Sequence, residues 1–411
     1  MSSGHIPHLW ENLDNTFNDI LKMCSGVSKG TIEATEKLDG INICFTVSSH
    51  GETLFIRNKN DIRLGGLKVH ELLSRYKNHV AEKQLQSGCL AIANFCKEVW
   101  WPIGFAKKNW VNCEIISKEG PRLISYDKNA IVIHDILSFN RRGELAESKV
   151  HLLPKLLNSF KTESTVVDKE TWELIGPTVV SPAGLESDLL KREIYALINL
   201  HGLTLESSIL DWGIIKTVDY LKSLGFPLDK KIKLAEIIMN APDKDTLTAV
   251  KKGTSKYLAK KMTEVASSKN KGKIKAEILF PLEEAITKFS CALLGSTNSH
   301  FIEDFEKEKS RIHRITEDSI NLIEQTNDGW RERRRKLIFL YRKKLHGNYP
   351  ASLEGLVFSW NKKKYKITGY YGPANQIVSL VKNGRKPIPP VVKNAQEVIK
   401  DEILIKSIST V

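Results

Sequence analysis

The chain has 411 residues, 41% of them hydrophobic and 27% charged, with a formal net charge of +14. That length exceeds one ordinary domain, and the charge excess favours a polyanionic partner: nucleic acid, nucleotide or acidic lipid. Global disorder, a secretory leader and a membrane partner are not expected. Long non-polar runs interrupt the charges, no basic stretch leads into an apolar segment near the start, and no apolar run approaches the roughly 20 residues a membrane span requires.

In chain order, the first 140 residues mix strand and helix signals. Residues 41–47 are apolar and β-branched, a Ser-Ser-His-Gly turn follows, and 53–57 reads as the returning strand of a hairpin. Residues 69–86 suit an amphipathic helix; 110–117 and 129–137 suit strands, separated by a turn-rich stretch over 119–127. From about 150 helical periodicity dominates, over 186–200, 206–224, 243–266, 274–294 and 301–346. Strand character returns over 354–360 and 364–368, joined by a Lys-rich turn. The six cysteines (Cys24, Cys44, Cys89, Cys96, Cys113, Cys291) form no CxxC pair and have no His at zinc spacing, so they read as free thiols in a reducing, cytoplasmic setting.

The chemistry centres on Glu36-Lys37-Leu38-Asp39-Gly40-Ile41-Asn42. A lysine just before a glycine and a strand can be fixed in a pocket. Its neutral amine is a good nucleophile, but with a free pKa of about 10 it needs burial or neighbouring cations to react near neutrality. Asp39 would hold a partner or the nucleotide, and Gly40 would permit close approach of phosphate or sugar. Further on come Arg57, Glu114 within an apolar strand, the run Ile131-Val132-Ile133-His134-Asp135, the sequence Glu354-Gly355-Leu356-Val357, and the pair Lys364 and Lys366.

That ordered series resembles the covalent nucleotidyltransferase superfamily of ATP-dependent DNA ligases, RNA ligases and mRNA capping enzymes, with bacteriophage RNA ligases the nearest likeness. The resemblance spans roughly residues 30–137 and 350–370. It implies Lys37 as the residue that takes AMP from ATP and Glu114 as the ribose-binding carboxylate. Glu354 would be the metal-associated glutamate, and Lys364 and Lys366 the phosphate contacts. Glu36, Asp39, Gly40, Asn42, Arg57 and Ile131 would complete the nucleotide site, with ATP and Mg²⁺ as cofactors. Arg57 and Asn42 would hold the 5′-phosphate or the adenylate in later steps. The strand at 131–134 lacks the aromatic that stacks on the base in much of the family; an aliphatic side chain or His134 would cover it instead.

Two helical segments are densely basic. Lys251 to Lys273 carries eight lysines, Lys251 and Lys252 among them, against the single acid Glu264. The second includes Arg331, Arg333, Arg334, Arg335 and Lys336 beside Trp330, Phe339 and Tyr341. Such faces suit RNA more than DNA, through phosphate contacts and stacking. The expected fold is α+β: a nucleotidyltransferase (ATP-grasp-like ligase catalytic) domain with mainly antiparallel sheets, interrupted by a large all-α insertion. Residues 1–150 would form its first part, 151–349 the insertion, and 350–411 its second part and tail. Only 45 residues follow Lys366 (366 to 411), too few for the OB-fold that DNA ligases append. The expected function is ATP-dependent RNA ligation, acting in a host cytoplasm if the likeness to bacteriophage enzymes holds. The alternatives are a DNA ligase lacking an OB domain, a non-catalytic nucleic-acid-binding protein on a ligase scaffold, and transfer of AMP to a protein or small molecule.

Overall fold

The structure is a computed structural model that describes residues 6–77, 81–97, 109–118, 124, 126–140, 142–160, 162–182, 184, 187–240, 244–297, 314 and 354–369. It is a mixed α+β protein built on two sheets. The first helix, α1 (Phe17–Ser28), starts where Thr16 accepts the Asp19 N–H and Asp19 accepts the Thr16 N–H, a reciprocal cap at 3.0 Å each way. The chain then enters β1 (Ala34–Lys37), β2 (Ile41–Val47) and β3 (Thr53–Ile56). After the short α2 (Lys59–Arg63), α3 (Val69–Arg75) and α4 (Glu82–Lys97) take the place of the one helix expected over 69–86. Strands β4 (Asn109–Ile116) and β5 (Asn129–Phe139) follow closely as their patterns suggest, then β6 (Leu145–Ser148) and the short α5 (Leu153–Leu157).

The sheet does not stop near 150. Strands β7 (Ser164–Val167), β8 (Glu170–Ile175) and β9 (Val179–Val180) come next, and the run of consecutive helices begins only at α6 (Asp188–Asn199). The expected start of the helical region is therefore too early by more than 30 residues (151 against 188). The reason is local: Asp168 and Lys169 both take positive φ, closing a two-residue hairpin whose left-handed positions carry no glycine to mark them. The helical region continues with α7 (Ile209–Ser223), α8 (Leu228–Asn240), α9 (Lys244–Lys251), α10 (Lys256–Val265) and α11 (Ser268–Thr297). Helix α8 falls where no helix was expected, and α9 and α10 divide the one expected over 243–266. The last described elements are β10 (Gly355–Trp360) and β11 (Lys363–Thr368), joined by Asn361 and Lys362, again both at positive φ.

The seven-stranded sheet runs β3-β2-β4-β5-β8-β7, with β6 also paired to β5; β5 and β8 are parallel and the other pairs antiparallel. One face packs on α3, α4 and α5 through Ile41, Ile43, Ile115, Ile131, Ile133, Ile92 and Phe95. The four-stranded sheet runs β11-β10-β1-β9, all antiparallel. Its apolar face (Ala34, Leu356, Phe358, Tyr365, Ile367) shares one core with Phe17 and Ile20 of α1 and with Ile194, Trp212, Ile238 and Leu282 of the helical region. The helices are thus a structural layer of the second sheet, not a separable appendage. The six cysteines are free and buried, and burial raises the pKa of the Cys24, Cys89 and Cys113 thiols, and pushes that of Cys96 up to about 12. No described helix is long and apolar enough to cross a membrane. The tail beyond 369, where an OB-fold was not expected, lies outside the described residues.

Candidate active site

Lys37 ends β1 in one sheet and Ile41 begins β2 in the other, so Leu38-Asp39-Gly40 is the crossing between sheets. The crossing is held at Asp39 and Gly40. The Asp39 N–H donates to the Tyr126 hydroxyl at 2.7 Å, and the Asp39 carboxylate accepts the Ile124 N–H at 3.3 Å. The Gly40 N–H donates to Glu114 Oε1 at 3.0 Å. A Cβ on Gly40 would sit 2.4 Å from Glu114 Cγ and 2.7 Å from the Ile115 carbonyl oxygen. The space that glycine leaves is therefore filled by Glu114 and β4 rather than kept open for a ligand.

Across the sheet from Lys37 stands Gly355, its register partner on β10. A Cβ there would lie 2.2 Å from the Ile367 carbonyl oxygen, so close packing of β10 on β11 requires glycine. The preceding residue, Glu354, meets Lys37: Nζ lies 2.5 Å from Oε2, with both side chains largely buried. Burial drives the Glu354 pKa up to about 7; the Lys37 charge opposes the rise, while Asp39 and Glu114 add to it. A carboxyl that titrates near neutrality beside an amine is suited to exchange a proton with it.

Of the two C-terminal lysines, Lys366 belongs to this group. Its pKa is lowered, first by burial and then by the Lys37 charge. Lys364 does not. Its Nζ lies 2.8 Å from Oδ2 of Asp135 on β5, a carboxylate that also accepts the Ser148 hydroxyl at 2.7 Å. The expected phosphate contact is in this structure a tie between the sheets. Tyr365, between the two lysines, points into the core, where its hydroxyl accepts from Asn12 at 2.7 Å and donates to Asn15 at 3.0 Å.

Asn42 and Glu114 are register partners on β2 and β4. The Asn42 amide donates to Asn112 Oδ1 at 3.1 Å and the Cys113 carbonyl at 3.2 Å, and lies 3.5 Å from Glu114 Oε2. Its own Oδ1 is buried without a donor. His134 Nε2 stands 3.7 Å from Glu114 Oε2. Three expected residues are not on this face. Ile131 is fully buried in the core under α4, because Val132, not Ile131, pairs with Glu114 and side chains alternate. Arg57 lies with its guanidinium 4.8 Å above the Tyr76 ring and its Nε donating to the Asn42 carbonyl at 3.3 Å, beside α3. Glu36 alternates away from Lys37, opposite Leu356; burial raises its pKa and the Lys128 charge opposes this.

Tyr126, Asn112 and Asp135 were not assigned from the sequence. Asn112 was within reach of pattern reading, being two residues before Glu114 on the same strand face. Among the described residues no group of three His, Cys, Asp or Glu could hold a metal unaided. Of the basic segments, Lys252 is exposed and Lys251 donates to Thr263 Oγ1 at 3.3 Å. The stretch holding Arg331, Arg333, Arg334, Arg335 and Lys336 lies outside the described residues. No family model, curated protein or solved structure matches this chain.

Proposed function

We propose that this chain is a nucleotidyltransferase of the polynucleotide ligase class, an ATP-dependent RNA ligase that forms a lysyl-AMP intermediate on Lys37. The observation that carries the reading is the 2.5 Å pair between Lys37 and Glu354, which joins the two ends of the sequence pattern at one sheet crossing. Lys37 gives its proton to Glu354, and the freed amine attacks the α-phosphorus of ATP. A P–N bond forms as the bond to pyrophosphate breaks. Lys366 offsets the charge developing on the phosphate. Glu114 would meet the ribose hydroxyls, and the orphaned Asn42 Oδ1 offers an acceptor on the same face. A 5′-phosphate of RNA then attacks the adenylate and releases Lys37, and a 3′-hydroxyl displaces AMP.

Mg²⁺ fits this donor set only as an ion carried by phosphate oxygens, with Glu354 as its one carboxylate, which is how magnesium is commonly held at phosphoryl-transfer sites. It would supply charge neutralisation there. The test is incubation with α-labelled ATP and Mg²⁺ followed by denaturing electrophoresis. Label on the wild type, absent from Lys37→Ala and released by 5′-phosphorylated RNA, is the expected result. A folded wild type that takes no label from ATP, GTP, CTP or NAD overturns the proposal.

A further inference from the structure

The lysines of the α9–α11 segment divide into two kinds. Lys251 ties α9 to α10 through Thr263, and Lys261 ties α10 to the end of α7, donating to the Leu224 carbonyl at 2.6 Å and lying 5.3 Å above the Phe226 ring. Those two are anchors. Lys252, Lys256, Lys260, Lys269 and Lys273 are exposed. The α10–α11 turn is compact: Asn270 donates to the Glu264 carbonyl at 2.8 Å, and the Lys271 N–H to the Ser267 carbonyl at 2.8 Å. The start of α11 therefore stays beside the end of α10, and Lys251, next to Lys252 in the chain, reaches Thr263 on α10.

On α10, between the exposed Lys256 and Lys260, stands Tyr257, 75% exposed. Helix α10 fixes itself to the core through Met262 and Val265, with Leu258 packed alongside, an i, i+4, i+7 stripe that leaves Tyr257 outside it. Its ring is not used for folding. An exposed aromatic beside exposed cations is the arrangement that binds single strands: cations follow the phosphates and a base stacks on the ring.

We propose that the exposed face of α9, α10 and the start of α11 docks single-stranded nucleic acid, with Tyr257 as the platform for one base. The partner's identity rests on the ligase reading; the surface itself does not. The experiment is fluorescence anisotropy of a labelled single-stranded oligoribonucleotide with the full chain, across a salt series, with thermal melts to verify folding. Tyr257→Ala is expected to weaken binding about tenfold and Tyr257→Trp to preserve it. Charge reversal at Lys252, Lys256 and Lys260 should lower the slope of log affinity against log salt by about 2. Unchanged affinity and slope in these variants overturn the proposal, as does Tyr257-dependent binding to anionic vesicles without binding to RNA. The Lys37 label from ATP needs no RNA and separates the two readings. Label with Tyr257-independent RNA binding removes the surface alone, and Tyr257-dependent binding without label removes the ligase reading alone.

Discussion

Lys364 reaches from β11 to the carboxylate of Asp135 on β5, spanning 229 residues of sequence and both sheets with a 2.8 Å contact. Asp135 is 2% exposed, while the lysine end keeps contact with solvent. Such a pair costs more to break from one side than to leave out. Lys364→Met should lower stability by about 1–3 kcal/mol, because a buried acceptor loses its cation. Adding Asp135→Asn should restore part of that loss. Urea melts of the two single variants and the double variant measure the coupling; strictly additive losses would show that the tie is not energetic.

Glu354 gives a pH dependence with a definite sign. Its carboxyl is raised from 4.5 to about 7 in the folded chain, so the folded state binds the proton more tightly. Its contribution to stability is full below the unfolded value and is lost as pH rises through about 7. Thermal melts of Glu354→Gln should therefore fall less steeply between pH 5 and pH 7 than those of the wild type. Formation of the Lys37 adduct should rise over the same window, since only the ionised carboxylate accepts the amine's proton. An adduct rate independent of pH there would remove Glu354 as proton acceptor.

Gly40→Ala forces a methyl group against Glu114 and the Ile115 carbonyl. A loss of about 1–3 kcal/mol is expected from overpacking, together with weaker ATP binding because Glu114 must move. Calorimetry with ATP and a thermal melt read both effects; a stable variant that binds ATP normally contradicts the packing argument.

Ile131→Ala separates core from site. Deleting that buried side chain should cost about 2–5 kcal/mol, with ATP affinity per folded molecule unchanged. Tyr126→Phe should do the reverse in kind. The Asp39 N–H loses its 2.7 Å acceptor, and Lys37 labelling slows with a stability loss of about 1–3 kcal/mol or less.

Which parts of this arrangement were legible in the sequence follows from distance along the chain. Strands β2, β3, β4, β5, β10 and β11 announce themselves by apolar and β-branched runs. Lys37 and Glu354, singled out by the resemblance, meet at 2.5 Å, and the Glu114 and Lys37 charges act on Glu354 and Lys366 respectively. The destinations of Ile131, Arg57 and Lys364 were not legible. Strand alternation places Ile131 on the wrong face once Glu114 is paired with Val132, and register is set by partners that no local window contains. Helix α8 was hidden by polar residues: Lys230, Lys231 and Lys233 blur the stripe formed by Leu234, Ile237 and Ile238.

The hydroxyl of Tyr365 meets Asn12 across 353 residues, and β10 and β11 complete the sheet that β1 begins. That separation has a consequence in time. While the chain emerges from a ribosome, Lys37 waits, with neither Glu354 nor Lys366 beside it, until about 300 further residues (37 to 354) have been made. Pairings of such long range are slow to form. A product terminated anywhere between β1 and β10 lacks the Lys37–Glu354 pair, so on the proposed chemistry the order of synthesis would keep the lysine idle until β10 is made.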